Sequence, residues 1–224
     1  MNWNTPSGEL LDALLDLLPK PPAKPVELTV FGSAVLQMGL APDLVSADVD
    51  VFCTGYEALR ALVLQNKLDP KQREPGIEVT APGWRTAAGW ERRAQVVERK
   101  GHTLIFPDPL DVLVSKIQRS EPKDLLAFKL TRGITGHPTE EELIAHLRLA
   151  IDLYRPTFDE EKASDMVNNT RLLWQDLYGH DIDVREQLIR PVLRQQAENW
   201  HQDIPDYRAE AAALVEKLLG SRPE

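Results

Sequence analysis

The segment over residues 30–52, VFGSAVLQMGLAPDLVSADVDVF, constrains the fold more than any other part of the chain. It begins at the end of a β-rich run, VELTVF at 26–31, which stops at Gly32-Ser33, and helix-forming residues follow over 34–38. A glycine at such a turn lets the backbone approach a ligand closely, and free amides at a helix start favour a phosphate. Ser33 adds a hydroxyl donor at the same place. The pattern predicts a strand, an anion-binding turn and a short helix.

A second strand is predicted over 49–53, and acidic residues alternate with apolar ones along it. Side chains two residues apart on a strand share a face, so the carboxylates of Asp48 and Asp50 should converge while Val49 and Val51 face the core. Two carboxylates on one face repel each other unless a cation lies between them, and Mg²⁺ prefers oxygen ligands. A lone Asp-x-Asp pair is common, however, and an acidic strand edge beside a turn is the alternative interpretation.

The rest of the chain divides into a mixed first half and a helical second half. The first half is predicted to add helices over 6–18 and 57–65, a proline-rich break over 19–25, a strand over 77–80 and a hairpin over 94–99 and 103–106. After Pro107 the periodicity predicts helices over 108–119, 122–132, 139–153, 159–178, 184–200 and 206–219. We therefore expect an α+β fold, with an α/β domain of about five strands in a small mixed sheet over 1–132 and an all-helical domain over 133–224.

Composition narrows the class of protein. No stretch reaches the ~18 apolar residues of a membrane span and no signal segment opens the sequence, so a cytoplasmic protein without a membrane partner is expected. The one cysteine, Cys53, excludes an internal disulfide and is expected to be a buried apolar residue. The five histidines show no zinc-binding spacing.

Charge is unevenly distributed along the chain. The net charge is −9, yet residues 84–132 hold 10 basic and 6 acidic side chains. Such a basic region between acidic flanks indicates a place for an anionic substrate, or else a set of arginines on a solvated surface. Trp84 and Trp90 flank the start of this region, where they either stack on a nucleobase or, as we favour, pack against the hairpin.

The strand–Gly-Ser–helix arrangement followed by Asp-x-Asp resembles the nucleotidyltransferase superfamily, which has the polymerase-β-like fold. The resemblance implies that Gly32 and Ser33 hold the phosphates of a nucleotide and that Asp48 and Asp50 bind Mg²⁺ or Mn²⁺ as catalytic ligands. It also implies the reaction: an acceptor hydroxyl attacks the α-phosphate of a nucleoside triphosphate (NTP) in line.

The resemblance implies a third carboxylate on a neighbouring strand, between apolar residues. Glu78, within Ile77-Glu78-Val79, is the best candidate for this metal ligand and catalytic residue, and Glu98 is a weaker rival. The superfamily more often has aspartate at this position, and the alternative for Glu78 is a strand residue that faces solvent.

The segment DPLDVLVSKIQRSEPKDLLAFK at 108–129 resembles a signature of AbiEii-type and related bacterial nucleotidyltransferase-like proteins, many of them toxins of toxin–antitoxin pairs. The matching residues are Lys116, Arg119, Lys123 and Asp124. Ser46, Gly83-Trp84 and residues 90–93 also fit that group, so the resemblance covers about residues 26–130. It implies an NTP substrate, tRNA or protein as the favoured acceptor, and a cognate antitoxin as partner.

Three residues of this segment are candidates for nucleotide binding. Lys116 is placed to reach a triphosphate as a point charge, or is a solvated helix lysine. Lys123 lies in the first turn of a helix, where a cation opposes the helix dipole, which favours a role outside local stability. Asp124 either caps that helix or orients Lys116.

One departure from the resembled pattern bears on activity. A second aspartate usually follows three residues after the position of Asp124, and here that residue is Ala127. The chain is therefore expected to be a nucleotidyltransferase or, alternatively, a catalytically inactive member of the fold that binds a nucleotide, RNA or a protein.

Overall fold

Five strands form one mixed sheet in the computed structural model, which describes residues 1–19, 24–81, 83–154 and 165–199 together with 213, 216 and 217. The strands are β1 (Glu27–Phe31), β2 (Asp48–Phe52), β3 (Gly76–Val79), β4 (Gln95–Arg99) and β5 (His102–Phe106). Their order is β3-β2-β1-β5-β4, with antiparallel β1–β2 and β4–β5 pairs and parallel β1–β5 and β2–β3 pairs. The predicted α+β class is confirmed.

Nine α-helices occur in the described residues. They are α1 (Pro6–Leu17), α2 (Ser33–Gly39), α3 (Tyr56–Gln65), α4 (Trp90–Arg93), α5 (Pro109–Ile117), α6 (Pro122–Thr135), α7 (Glu140–Leu149), α8 (Met166–Tyr178) and α9 (Arg190–Asn199). The elements described after β5 are all helical, as predicted. The predicted domain boundary at 132/133 falls inside α6. None of these helices is long and apolar enough to cross a bilayer.

Two predicted helices end or begin differently from the prediction. The helix predicted over 139–153 stops at Leu149, and a 3₁₀ turn over Ile151–Tyr154 follows and buries Leu153. The helix predicted over 184–200 opens with a π-helical turn, Arg185–Ile189. Pro191 explains this irregular start, because it has no N–H to donate to the carbonyl of Gln187. That carbonyl instead accepts a hydrogen bond from Nε of Arg148, at 3.0 Å.

Some predictions fall outside the described residues. The helix predicted over 206–219 is one of them, although residues 213, 216 and 217 are helical. The first residues of the helix predicted over 159–178 are another, because the description resumes at residue 165.

One continuous hydrophobic core extends through both halves of the chain. Leu11 and Leu14 of α1 lie in it, as do the helical residues Leu147 and Trp174. Cys53 is buried in the same core, as predicted. The sheet and α5 therefore belong to one packed unit, and this fixes the positions of the side chains that meet at the end of β1.

Candidate functional site

The turn between β1 and α2 requires glycine. Gly32 adopts φ +71° and ψ −160°, a region that favours glycine. A Cβ atom at this position would overlap the carboxylate of Asp50, which lies on the neighbouring strand β2. Glycine therefore allows the carboxylate to approach the turn, and the side chain of Ser33 follows at the first residue of α2.

Asp48, Asp50 and Glu78 form a carboxylate cluster on one face of the sheet. Alternation along β2 leaves the two aspartates half-buried and sends Val49 and Val51 into the core, as predicted. Glu78 lies opposite Asp50 in the β2–β3 register. One oxygen from each of the three carboxylates lies within 4.8 Å of the others, so the cluster could hold a metal ion.

The electrostatics of this cluster favour a cation. The pKa of the Asp50 carboxyl is raised from 3.8 to about 7. Burial is the largest cause, and repulsion from Asp48 and Glu78 contributes to the rise. Lys116 and Arg119 oppose it through their positive charge. A divalent ion among three oxygen donors would relieve the repulsion among the carboxylates, so the donor set fits a hard metal ion such as Mg²⁺.

Lys116 is buried at the end of α5 and points at the Gly-Ser turn. Its Nζ donates to Oγ of Ser33 at 3.1 Å and to Oδ1 of Asp124 at 3.2 Å. Only 8% of the residue is exposed, so the interpretation of Lys116 as a solvated helix lysine is wrong. The ammonium group lies where an anion next to Ser33 would meet it.

Asp124 has both of the roles that the sequence left open. It caps α6, because its Oδ2 accepts from the N–H of Glu121 at 3.2 Å. It also fixes Lys116, and Arg119 donates to both of its oxygens at 2.8 and 2.9 Å. Burial raises the pKa of Asp124, but the hydrogen bond from Arg119 and the charge of Lys116 outweigh burial and leave that pKa below its ordinary value.

Two other predicted or rival residues lie outside this arrangement. Lys123 is largely exposed and pairs with Glu121 at 3.3 Å, and it does not line the cleft described below. Glu98, on β4, accepts from the hydroxyl of Thr103 at 2.7 Å and is not part of the carboxylate cluster. Of the two rivals, Glu78 is therefore the third carboxylate.

Four of these residues, Gly32, Asp50, Lys116 and Arg119, line a cleft of about 520 Å³. Lys116 comes from the last turn of α5, Arg119 lies two residues beyond the end of that helix, and the chain at 83–85 also contributes to the lining. Its full described lining is Phe31, Gly32, Asp50, Gly83, Trp84, Arg85, Ser115, Lys116, Gln118 and Arg119.

Several of these lining residues were not predicted as site residues. No periodic or spacing signal in the sequence places Phe31, Arg85 or Gln118 in the cleft. Arg119 belongs to the segment that resembles the signature, but the sequence analysis assigned no role to it. In the structure it is one of the cations that line the cleft. Trp84 packs on the rings of Phe31 and Trp90 and also lines the cleft.

A buried ionic network holds the segment over residues 84–93 against α5. Both oxygens of Asp111 accept from Arg93, at 2.8 and 3.0 Å, and Nε2 of His146 lies 2.7 Å from Oδ1. The hydroxyl of Thr86 donates to the carbonyl of Asp111. Because Asp111 is fully buried on the helix that carries Lys116, this network aligns both sides of the cleft.

No protein-family model, curated protein or solved structure matches the chain. The resemblance to nucleotidyltransferases therefore depends on the sequence motifs alone.

Proposed function

We propose that the protein is a metal-dependent nucleotidyltransferase that moves a nucleoside monophosphate from an NTP to an acceptor hydroxyl. One observation carries the proposal: Lys116, which donates to Ser33 across 83 residues of sequence, lines the same cleft as Asp50 of the carboxylate cluster. A polyanion that carries a divalent cation is the ligand that such a combination of cations, hydroxyl and carboxylates suits.

The chain's own residues would bind the substrate as follows. Ser33 donates its hydroxyl to a phosphate oxygen, and Lys116 neutralises the same phosphates from a buried position. Arg119, half-exposed and paired with Asp124, adds a second positive charge on the same side of the cleft. Asp124 positions both cations and is a positioning residue.

The carboxylate cluster would hold Mg²⁺ or Mn²⁺ through Asp48, Asp50 and Glu78. The bound ion supplies Lewis-acid stabilisation of the charge that develops during phosphoryl transfer. Glu78 is the exposed member of the cluster, so an acceptor from solvent reaches it first, and we assign to it the uptake of the hydroxyl proton. The acceptor oxygen then forms its bond to the α-phosphorus as the bond to the departing pyrophosphate breaks.

We favour tRNA or protein as the acceptor, and the role of a toxin with a cognate antitoxin, because the resembled group contains such proteins. Exposed cations near the cleft are compatible with an anionic acceptor: Arg85 lines the cleft and Arg92 is exposed on α4.

A catalytically inactive binding module is the second candidate, and Ala127 favours it. This residue replaces the second aspartate of the resembled pattern and is buried in the core, one turn of α6 after Asp124. A nucleotide, RNA or protein would then bind at the cleft without reaction.

The deciding experiment incubates the protein with each α-labelled NTP, Mg²⁺ or Mn²⁺ and a cell extract. Wild type should transfer label to one class of macromolecule, and the Asp48→Ala/Asp50→Ala variant should not, while circular dichroism shows that both are folded. Nucleotide binding without transfer in any condition would favour the binding module. Equal transfer by both proteins would overturn the assignment of the carboxylates.

A further inference from the structure

The cleft is lined by both charged and aromatic groups, and its aromatic groups have no role in the function proposed so far. Among the described residues that line it, the charged ones are Asp50, Arg85, Lys116 and Arg119. The aromatic rings are those of Phe31, at the end of β1, and of Trp84. A bound NTP also combines the two kinds of group, because its phosphates are charged while its base is flat and has apolar faces.

Trp84 is held firmly by its neighbours. Its ring stacks on Phe31, with a centroid distance of 5.7 Å and an interplanar angle of 28°. Trp90 meets it edge to face at 5.1 Å and 80°. Rings arranged in this way attract one another beyond the area that they bury, so Trp84 has little rotamer freedom left to lose when a ligand binds.

The chain that carries Trp84 is also fixed. Two residues further on, Thr86 donates to the carbonyl of Asp111, and Arg93 closes the same segment with its paired hydrogen bonds to the Asp111 carboxylate. Ala87, between these anchors, is fully buried. The part of the cleft that contains Trp84 is therefore preorganised relative to α5, which carries Lys116.

We propose that Trp84 is the nucleobase-binding residue of this cleft, and that the aromatic pair it forms with Phe31 selects purine over pyrimidine NTPs. This inference depends on the proposed function, since it names the substrate of the same site. Phosphates placed between Ser33, Lys116 and the carboxylate cluster leave the rings of Phe31 and Trp84 as the aromatic surface of the cleft on which the base can stack. A volume of about 520 Å³ is in the range of small-molecule sites.

Purine selection follows from ring size. Stacking of a base on an aromatic side chain depends on overlap of the two ring systems and does not depend on a pattern of donors and acceptors. A bicyclic purine covers more of the indole than a pyrimidine does. ATP and GTP should therefore bind more tightly than CTP and UTP, while ATP and GTP should differ little from each other.

The test measures Mg²⁺-dependent binding of ATP, CTP and inorganic tripolyphosphate by calorimetry. Trp84→Leu should weaken ATP binding about 5- to 150-fold, the range for loss of a base–aromatic stack, and leave tripolyphosphate binding unchanged. Trp84→Phe should restore part of the affinity for ATP. The matched control is Trp3→Leu, which removes a half-buried tryptophan that also packs against one phenylalanine, Phe106, outside the cleft.

Each outcome separates this inference from the proposed function. If Trp84→Leu weakens the binding of tripolyphosphate and of ATP equally, or weakens neither, the role of Trp84 is overturned and the phosphate site still stands. Absence of ATP and tripolyphosphate binding in wild type would overturn both. If Trp84→Leu fails to fold, quenching of tryptophan emission by ATP decides: the quenching should be present in wild type and largely lost in Trp84→Phe, and an unchanged signal would overturn the proposal.

Discussion

Nζ of Lys116 donates a hydrogen bond to Oγ of Ser33 at 3.1 Å, across 83 residues of sequence. The contact joins the first turn of α2 to the last turn of α5, so the two segments that resemble nucleotidyltransferase motifs meet at one point. Lys116 also lines the cleft together with Asp50 of the carboxylate cluster, so one buried cation connects the Gly-Ser turn with the candidate metal site.

Loss of the Lys116 charge should reduce nucleotide binding. Lys116→Met should raise the Kd for a labelled NTP about 10- to 150-fold, since hydrogen bonds to charged groups contribute about 1.5–3 kcal/mol. Asp124 keeps its bidentate partner Arg119, so the fold should persist. Lys123→Met is the matched control on the exposed start of α6, and filter binding should show almost no effect. Equal losses in the two variants would contradict the placement of Lys116 as the phosphate-binding lysine.

Substitution of Gly32 should lower the free energy of unfolding for two reasons that can be measured separately. Gly32→Ala forces a side chain into a backbone region (φ +71°, ψ −160°) that is almost confined to glycine, at a cost of about 1–3 kcal/mol, and overlaps the Asp50 carboxylate. Gly179→Ala is the matched control, because Gly179 has φ +78° and open space where its Cβ would lie. Urea denaturation should show the larger loss for Gly32→Ala, and adding Asp50→Ala should recover part of it. If the two glycine variants lose the same free energy, the close approach of Asp50 is not confirmed.

Stability in the absence of divalent cations should depend on pH through Asp50. Its pKa is about 7 in the folded protein against 3.8 ordinarily, so between those values the folded state retains a proton that the unfolded chain releases. The free energy of unfolding should therefore fall as pH rises from about 4 to about 7 and level off above 7. Asp50→Asn removes this dependence, and its advantage over wild type should grow across that window, by up to about 4 kcal/mol. Parallel denaturation curves for the two proteins would refute the shift.

Divalent cations should stabilise the protein through the same cluster. Mg²⁺ or Mn²⁺ should raise the melting temperature with increasing concentration, and the apparent affinity should weaken below pH 7, because a proton on Asp50 competes with the metal. Asp48→Asn and Glu78→Gln should abolish most of the effect, and EDTA should reverse it in wild type. Glu98→Gln, an acid-to-amide change outside the cluster, should keep the full response. A metal response that survives all the cluster substitutions would exclude this site.

The buried network at Asp111 should contribute more to stability than a surface ion pair. Asp111→Ala leaves Arg93 and His146 without their carboxylate, and we expect a loss of about 3–5 kcal/mol in the free energy of unfolding. Asp181→Ala removes the exposed ion pair between Arg171 and Asp181. The free energy of unfolding should then fall only by the small amount that is typical of a surface ion pair. Chemical denaturation measures both, and a similar small loss at the two sites would contradict the structural role of Asp111.

The network at Asp111 should make stability depend on pH in the direction opposite to that of Asp50. Burial raises the pKa of Asp111, but the hydrogen bonds from His146 and Arg93 lower it by more. The pKa of Asp111 therefore lies below its ordinary value. The contribution of this carboxylate to stability is therefore present above its ordinary pKa and is lost as acid protonates it. Asp111→Asn should flatten the acid limb of the stability curve.

Local sequence was sufficient for the first part of the site. A β-rich run that ends in Gly32-Ser33 and an alternating Asp-Val-Asp-Val run each specify a strand and the direction of its side chains, because alternation along a strand is a property of the backbone. A local pattern also begins α7, where Thr139 and Glu142 form a capping box. The resemblance supplied Lys116, which local pattern alone left as an ordinary helix lysine.

Other parts of the site could not be predicted, for reasons that are also physical. Lys123 and Lys116 both resembled phosphate-binding lysines, and only packing determined that one is buried beside Ser33 while the other pairs with Glu121 in solvent. The aromatic wall depends on Phe31 and Trp84, whose contact joins residues 53 positions apart. No periodicity encodes such a contact.

The sequence by itself determined that Gly32 is next to a strand end, that Asp48 and Asp50 share a face, and that helices follow the last strand. Only the tertiary structure decided that β3 pairs with β2 in the register that places Glu78 opposite Asp50, and that α5 brings Lys116 to Ser33. Side-chain direction within one strand follows from local backbone geometry. Strand order, register and helix docking depend on burial of one common core, so they are settled when the whole chain packs.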